Sequence, residues 1–495
     1  MALEYMKEEL VKMDIKKSVT KNYIYNLIYQ IFAIIVPLIT TPYLSRVLGA
    51  ENIGIYSYTL SVTTYFILFG SLGIAMYAQR EIAYVQEDKY KRSKVFFEIL
   101  LIKVITLMIS MGIFYVTFGI QGQYSVYYKI FLLEIIANII DISWFFQGIE
   151  EFKKTVMRNM LVKSISIALI FILVKNSDDL TTYIWIYVLS TFFGNLSLWM
   201  YLPKYICKVN NLKLKKHIKP VLMLFVPQIA SQVYTVLDKT MLGSMIPDKA
   251  ETGFYEQAQK MVKILLTIVT ALGTVMLPRM SMIFAKNDKK QIKKYLDNSF
   301  NFVFILGFPI MAGIDIIANR FVPIFFGPGY NEVVMLIRVI SPIIIFIGLS
   351  NVIGVQFLLP TQRQKMYTIS VIVGACINLI FNFLLIPKFK AVGASIATVI
   401  AEFMVLVVQT YLTRKEIKIL EIIKKVKNYI IAMIIMCIPC ILIDKFIGND
   451  ILAIGMQIFI GGLTYLGVLL VLKDNYLFEL LDKISAVWKN KYRNT

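Results

Sequence analysis

Long apolar stretches recur from one end of this chain to the other, each near the roughly 20 residues that an α-helix needs to cross about 30 Å of hydrocarbon. They fall near 22–47, 52–79, 95–119, 125–148, 156–175, 181–201, 219–245, 252–280, 296–318, 332–358, 366–386, 391–412, 428–447 and 451–472. Only short polar connectors separate them. The pattern predicts an all-α polytopic membrane protein with about 14 transmembrane helices. Pro37, Pro227, Pro309 and Pro342 fall within or near the starts of spans, where a missing backbone donor kinks a helix and where neighbours or water must satisfy the freed carbonyl.

The polar positions repeat as well. Val36-Pro37 answers Val226-Pro227, Ala50-Glu51 with Gly54 and Tyr56 answers Ala250-Glu251 with Gly253 and Tyr255, and Leu72-Gly73 with Met76 answers Leu272-Gly273 with Met276. The shared offset is near 200 residues, so six spans separate the copies. An even number leaves the two halves in the same orientation rather than inverted. The expected organisation is a segment 1–21, a first lobe 22–203 of spans one to six, a basic linker 204–218, a second lobe 219–414 of spans seven to twelve, a basic loop 415–427, two further spans within 428–472 and a tail 473–495.

Composition agrees with burial in lipid. Of 495 residues 58% are hydrophobic and only 17% charged, below the roughly 25% charged usual in soluble domains, and mean hydropathy is +0.69. The net charge of +21 would point to nucleic acid in a soluble protein. Its distribution excludes that partner. About 38 of the 52 Lys and Arg fall in alternate connectors, while the opposite connectors hold Arg46, Lys249, Arg320, Lys388, Lys390 and Lys445. This is the positive-inside asymmetry, and it places both termini in the cytoplasm. The basic residues form no groove with aromatic stacking platforms. The first twenty or so residues are Lys- and Glu-rich and lack the apolar region of a cleavable signal.

Chemistry of other kinds has little to work with. Cys207, Cys376, Cys437 and Cys440 are too scattered for a disulfide framework, and the Cys437–Cys440 pair lies within an apolar span with no second pair to complete a metal shell. His217 is the single histidine. No GxxxxGK[ST] phosphate loop occurs, and the connectors are too short to house a catalytic domain. No metal or cofactor is expected.

Charged and polar residues inside the spans are therefore the candidate machinery, since a charge at the bilayer centre costs roughly 2.5–3.5 kcal/mol. In span seven Gln228, Gln232, Thr235 and Lys239 recur at intervals of four, three and four, one helical stripe, with Ser231 and Asp238 beside it. In span eight Glu256, Lys260 and Lys263 share a face, and in span one Asn22, Asn26, Tyr29, Ala33 and Thr40 make a weaker stripe. Competing with a cleft lining is simple intramembrane pairing: Glu256 with Lys260 at i, i+4, and Asp238 with Lys239 or Lys260. Arg338 and Lys103 also lie within apolar runs. Arg46 sits near a span end, where interfacial anchoring is the ordinary role. Glu134 and Asp141, seven apart in span four, would share a face and pair with Lys103 or Lys163 or carry a coupling proton, as would Asp238 or Glu256. Trp144, Trp185 and Trp199 near span ends read as interfacial belts.

The stretch VPLITTPYLSRVLGAENIGIYSY from Val36, the string Leu237-Asp238-Lys239 followed by Met241-Leu242-Gly243, and GFYEQAQK from Gly253 resemble the polysaccharide flippase branch of the superfamily that includes multidrug and toxin extruders and lipid II flippases. The resemblance covers essentially the whole chain. It implies two parallel-repeat six-helix lobes forming a V-shaped cleft plus two C-terminal helices. It also implies translocation of an undecaprenyl-pyrophosphate-linked oligosaccharide from the inner to the outer leaflet of the bacterial cytoplasmic membrane, for capsule, O-antigen or related polymers, with membrane lipid around the tail and a polymerase and assembly proteins as partners. Family position raises Arg46. Where the family commonly has Asp-Arg, Asp238-Lys239 keeps the charges without the bidentate fork that Arg offers a phosphate. The rivals are an ion-coupled multidrug antiporter of the same fold, which the excess of cations over carboxylates disfavours, and a membrane polymerase or glycosyltransferase, which would need a substantial outer loop.

Overall fold

The computed structural model describes the backbone of residues 2–286, 288–482 and 485, and side chains from residue 28 onward except at positions within 224–234, 274–289, 419–425 and beyond 482. Every regular element among the described residues is helical. The chain divides into two compact units, Met1–Val236 and Leu237–Thr495. The first holds α1 (Ala2–Ser71), α2 (Ile74–Tyr84), α3 (Lys89–Phe114), α4 (Ser125–Ile139), α5 (Ser143–Gly148), α6 (Phe152–Leu173), α7 (Leu180–Trp199) and the start of α8 (Lys215–Met245). The second holds the rest of α8 and then α9 (Ala250–Ala285), α10 (Lys289–Phe326), α11 (Glu332–Ile340), α12 (Ile343–Ile353), α13 (Gln364–Leu412), α14 (Ile419–Phe446) and α15 (Asp450–Val471).

The two longest helices, of 70 and 49 residues, are each broken at one residue. In α1 the break is Gly49, at φ 76° and ψ 169°, a region that only glycine enters cheaply, and it closes the Arg46-Val47-Leu48-Gly49 turn. In α13 it is Lys390, at φ 48° and ψ −126°, which a side chain makes strained. Glu251 holds that corner: its carboxylate pairs with Lys390 Nζ at 3.0 Å and accepts from the Ala391 amide at 3.3 Å. Beyond the corner α13 folds back on itself so tightly that a Cβ on Gly374 would lie 2.4 Å from Val405 Cγ2.

Apolar side chains point outward. Ile109, Ile113, Ile172 and Phe193 in the first unit, and Phe383, Leu384, Ile438, Ile441 and Phe459 in the second, are all more than half exposed, whereas Thr59, Thr63, Asn378 and Asn382 are fully buried. A surface of this kind is stable against hydrocarbon and not against water. Nine helical runs among the described residues are long and apolar enough to cross a membrane, and the chain is a multi-pass membrane protein.

The fourth apolar stretch is not one helix. It breaks at residues 140–142 between α4 and α5, which would leave carbonyls unsatisfied at a cost of several kcal/mol each in hydrocarbon. Lys103 Nζ donates to the Asp141 carbonyl at 2.8 Å, Trp144 Nε1 to the same oxygen at 3.1 Å, and Trp199 Nε1 to the Ile140 carbonyl at 2.7 Å. Two of the three tryptophans expected in an interfacial belt are thus plugs for a helix break, and Trp144, stacked on Phe96 with ring centroids 5.4 Å apart, is 1% exposed. Trp185 is 41% exposed on the outside of α7, as a belt residue would be. The break also separates Glu134 from Asp141, so the shared helical face expected of them does not form.

His217, at the end of the basic linker 204–218, is buried at the start of α8. Its Nε2 lies 2.9 Å from Glu98 Oε2 and its Nδ1 2.7 Å from the Tyr77 hydroxyl, while Lys216 Nζ and the Lys213 amide reach the same carboxylate at 2.8 and 2.7 Å. One buried carboxylate on α3 therefore anchors the linker within the first unit. At the far end of α8, Lys249 donates to the carbonyls of Gly243 and Ile246 at 2.6 and 2.9 Å, satisfying the orphan acceptors of a helix C-terminus. Burial holds its ammonium below the usual lysine range. The four cysteines are free thiols, and Cys440 packs into the α14–α15 contact with its Sγ 3.5 Å from the Gln457 carbonyl.

Candidate functional site

Asp238 and Lys239 are neighbours in α8, so their side chains leave the helix about 100° apart and meet different surroundings. Asp238 turns inward and is 2% exposed. Its Oδ2 accepts from the Tyr255 hydroxyl at 2.5 Å and from Thr398 Oγ1 at 2.9 Å; its Oδ1 accepts from the amides of Asn378 and Asn382 at 2.8 and 2.6 Å. Gln259 in turn donates to the Tyr255 oxygen at 2.9 Å. The network joins α8, α9 and both halves of α13. Among the described residues neither Lys239 nor Lys260 pairs with Asp238, the alternative weighed against a cleft lining; both meet Glu256.

Lys239 turns the other way and meets Glu256 Oε2 across from α9. The second oxygen of the same carboxylate lies 3.6 Å from Lys260 Nζ, the i, i+4 pair legible in the sequence. One anion thus stands between two cations, and Lys263, a turn further along α9, adds a third, on which Glu402 of α13 also acts. The side chains of Lys239 and Lys260 keep 19% and 34% of their surface. Partial accessibility of the cations contrasts with the sealed Asp238, so the reachable part of this cluster is electropositive.

The remaining candidates fall elsewhere. Arg46 is exposed at the end of the first half of α1, with Nη1 3.2 Å from the Pro42 carbonyl. Arg338 on α11 is exposed and its Nε donates to the Asp315 carbonyl at 3.1 Å. Lys103 is committed to the backbone of the helix break described above, and the Asp141 carboxylate accepts from the Ser143 amide at 2.9 Å, so these two meet through main chain rather than as an ion pair. Glu134 is 6% exposed, and its Oε2 has no hydrogen-bond partner. Asn26, Gln228 and Gln232 lie outside the residues whose side chains are described.

Four members of the acidic network, Tyr255, Asn378, Asn382 and Thr398, did not stand out in the sequence. A signal for two of them was present: Asn378 and Asn382, four apart in an otherwise apolar run, fall on one helical face. Tyr255 was visible only as a repeat position, and Thr398 not at all.

Residues 19–284 match the family model described as polysaccharide biosynthesis protein, and residues 185–456 the model described as lipid II flippase MurJ. Among curated proteins the chain is similar to one of Escherichia coli (strain K12) whose name proposes an O-antigen transporter, at 26% identity over 79% of this chain and 95% of that one. It is similar also to the capsular polysaccharide biosynthesis protein CapF of Staphylococcus aureus, at 24% identity over 80% of this chain and 99% of that one. Among solved structures it shares the fold of a lipid II flippase MurJ in an inward closed conformation, with a TM-score of 0.73 at 16% identity, over 91% of this chain and 99% of the other.

Proposed function

From the premise that this chain belongs to the polysaccharide biosynthesis protein family, we propose that it is a flippase for an anionic, undecaprenyl-pyrophosphate-linked oligosaccharide, carrying it from the inner to the outer leaflet of a bacterial cytoplasmic membrane. Split at Gly49 and Lys390, its helices read as fourteen crossings with both termini cytoplasmic. The cargo exists in the pathways of capsule, O-antigen and related surface polymers, and a polymerase acting on the delivered repeat unit is the natural partner. The protein makes and breaks no covalent bond; it exposes one site alternately to the two sides of the membrane.

The observation that carries this reading is the cluster of Lys239, Lys260 and Lys263 around the carboxylate of Glu256. Three ammonium groups against the carboxylates of Glu256 and Glu402 leave a positive surplus, and at low local dielectric such a surplus attracts a pyrophosphate strongly. An extruder of cationic drugs would need the opposite balance. Asp238, which also acts on Lys263, is covered by four donors and withdrawn from contact with cargo. Its charge has no cation at salt-bridge distance among the described residues, so we assign Asp238 to coupling, taking up a proton or a monovalent cation during the cycle; Glu134, with one oxygen unmatched, is the corresponding acid of the first unit.

The test is complementation of a strain lacking the exporter. Lys239→Ala and Lys260→Ala should each abolish surface-polymer export with membrane abundance unchanged, and Arg at either position should restore part of it. Full export by both alanine variants would refute the cationic site.

A further inference from the structure

A cavity of about 330 Å³ lies inside the first unit, walled by α1, α6 and α7. Its volume sits at the lower end of the roughly 300–1,000 Å³ typical of ligand pockets, room for a phosphoryl group with an attached sugar ring but not for a polyprenyl tail. Two cations line it, Arg158 and Lys163, together with hydroxyls that include Ser166, Ser190 and Thr191, and none of its lining residues is acidic. Arg158 is incompletely used: one guanidinium nitrogen donates to Asn195 Oδ1, while Nε is buried with no hydrogen-bond partner among the described residues. Among the described residues Lys163 is held by the face of the Tyr29 ring, 5.2 Å away. Ser166 and Ser190 are bonded to one another at 2.7 Å, a contact that either hydroxyl can exchange for a ligand oxygen.

A buried guanidinium N–H without an acceptor is costly; Asp141 acts on Arg158 from outside the lining, but no carboxylate lines the cavity itself. That cost is removed if an anion occupies the cavity. We propose that this cavity is a second anion subsite, built by Arg158 and Lys163 to hold a phosphoryl oxygen of the cargo, with the serine and threonine hydroxyls taking sugar hydroxyls beside it. The inference rests on the transport reading above, and deepens it by giving the first unit its own contact with the headgroup. Arg158 supplies the planar fork suited to phosphate that the Asp238-Lys239 pair of the second unit lacks.

The full-length protein in phosphatidylcholine nanodiscs, titrated with farnesyl pyrophosphate, tests it. Arg158→Gln and Lys163→Gln should each weaken binding about tenfold, and Lys163→Arg should stay within about threefold of the parent. Lys163 supports no hydrogen bond or salt bridge among the described residues, so its variant keeps the parent melting temperature and guards against a folding artefact at Arg158. Unchanged affinity in Lys163→Gln and Arg158→Gln overturns the subsite. Equal competition by inorganic pyrophosphate supports recognition of the phosphoryl group itself. Displacement of the probe by phosphatidylglycerol added to the nanodiscs would assign the cavity to a bilayer headgroup and overturn its assignment to cargo. In the export assay the two readings separate: if Lys239→Ala fails while Arg158→Gln and Lys163→Gln export normally, the subsite falls and the flippase stands; if none of these variants impairs export, the flippase reading falls first.

Discussion

Asp238 shows how much a single buried carboxylate can organise. Four donors from α9 and the two halves of α13 converge on its two oxygens, and each charge-assisted bond is stronger than its neutral counterpart. Asp238→Asn substitutes an amide that can accept at one oxygen only and turns an N–H group towards the donors of its neighbours. The expected cost is roughly 2–4 kcal/mol, the scale of one or two hydrogen bonds to a charged group, seen as a lower melting temperature of the purified protein. If Asp238 carries coupling, the same variant loses the dependence of transport on an ion gradient. Tyr255→Phe removes one donor and leaves the charge, so its cost should be about 1 kcal/mol with gradient dependence retained. Equal destabilisation by both variants would mean that the charge itself contributes nothing.

Helices in this protein are specified as much by where they break as by where they run. The corners at Gly49 and Lys390 and the gap between α4 and α5 each carry their own compensation: a residue without a Cβ, an acid from α9, and a lysine with two indoles. Packing between spans depends on close approach rather than on burial of apolar surface, because lipid is as apolar as leucine. Gly374→Val places a side chain where a Cβ alone would already lie 2.4 Å from Val405. Overpacking of this kind costs about 1–3 kcal/mol and should appear as reduced thermal stability, relieved by a compensating Val405→Ala. Failure of that second change to restore stability would place the clash elsewhere.

For the molecule as a whole, charge decides orientation. The basic connectors lie on one side of the span pattern, and if that side is cytoplasmic, a fluorescent protein inserted after Leu212 in the 204–218 connector should mature and fluoresce, whereas alkaline phosphatase at the same place should be inactive. The opposite pair of results would invert the transport direction argued above. The chain divides into two units, and both place charged groups inside apolar helices: Lys239, Glu256 and Lys260 in one, Arg158 and Lys163 in the other.

Sequence alone determined the class of protein and the Glu256–Lys260 pair. These are properties of composition, period and local spacing, and lipid enforces them on each helix independently. What Asp238 touches was decided only by tertiary structure, since its partners lie 17, 140, 144 and 160 residues away and no spacing rule reaches that far. The roles of Lys103, Trp144 and Trp199 were hidden for the same reason: a helix break exposes carbonyls at one place in space, and whichever donors the fold brings there will satisfy them. A polar side chain within an apolar run announces that it must have a partner, and only the packing of the chain chooses which.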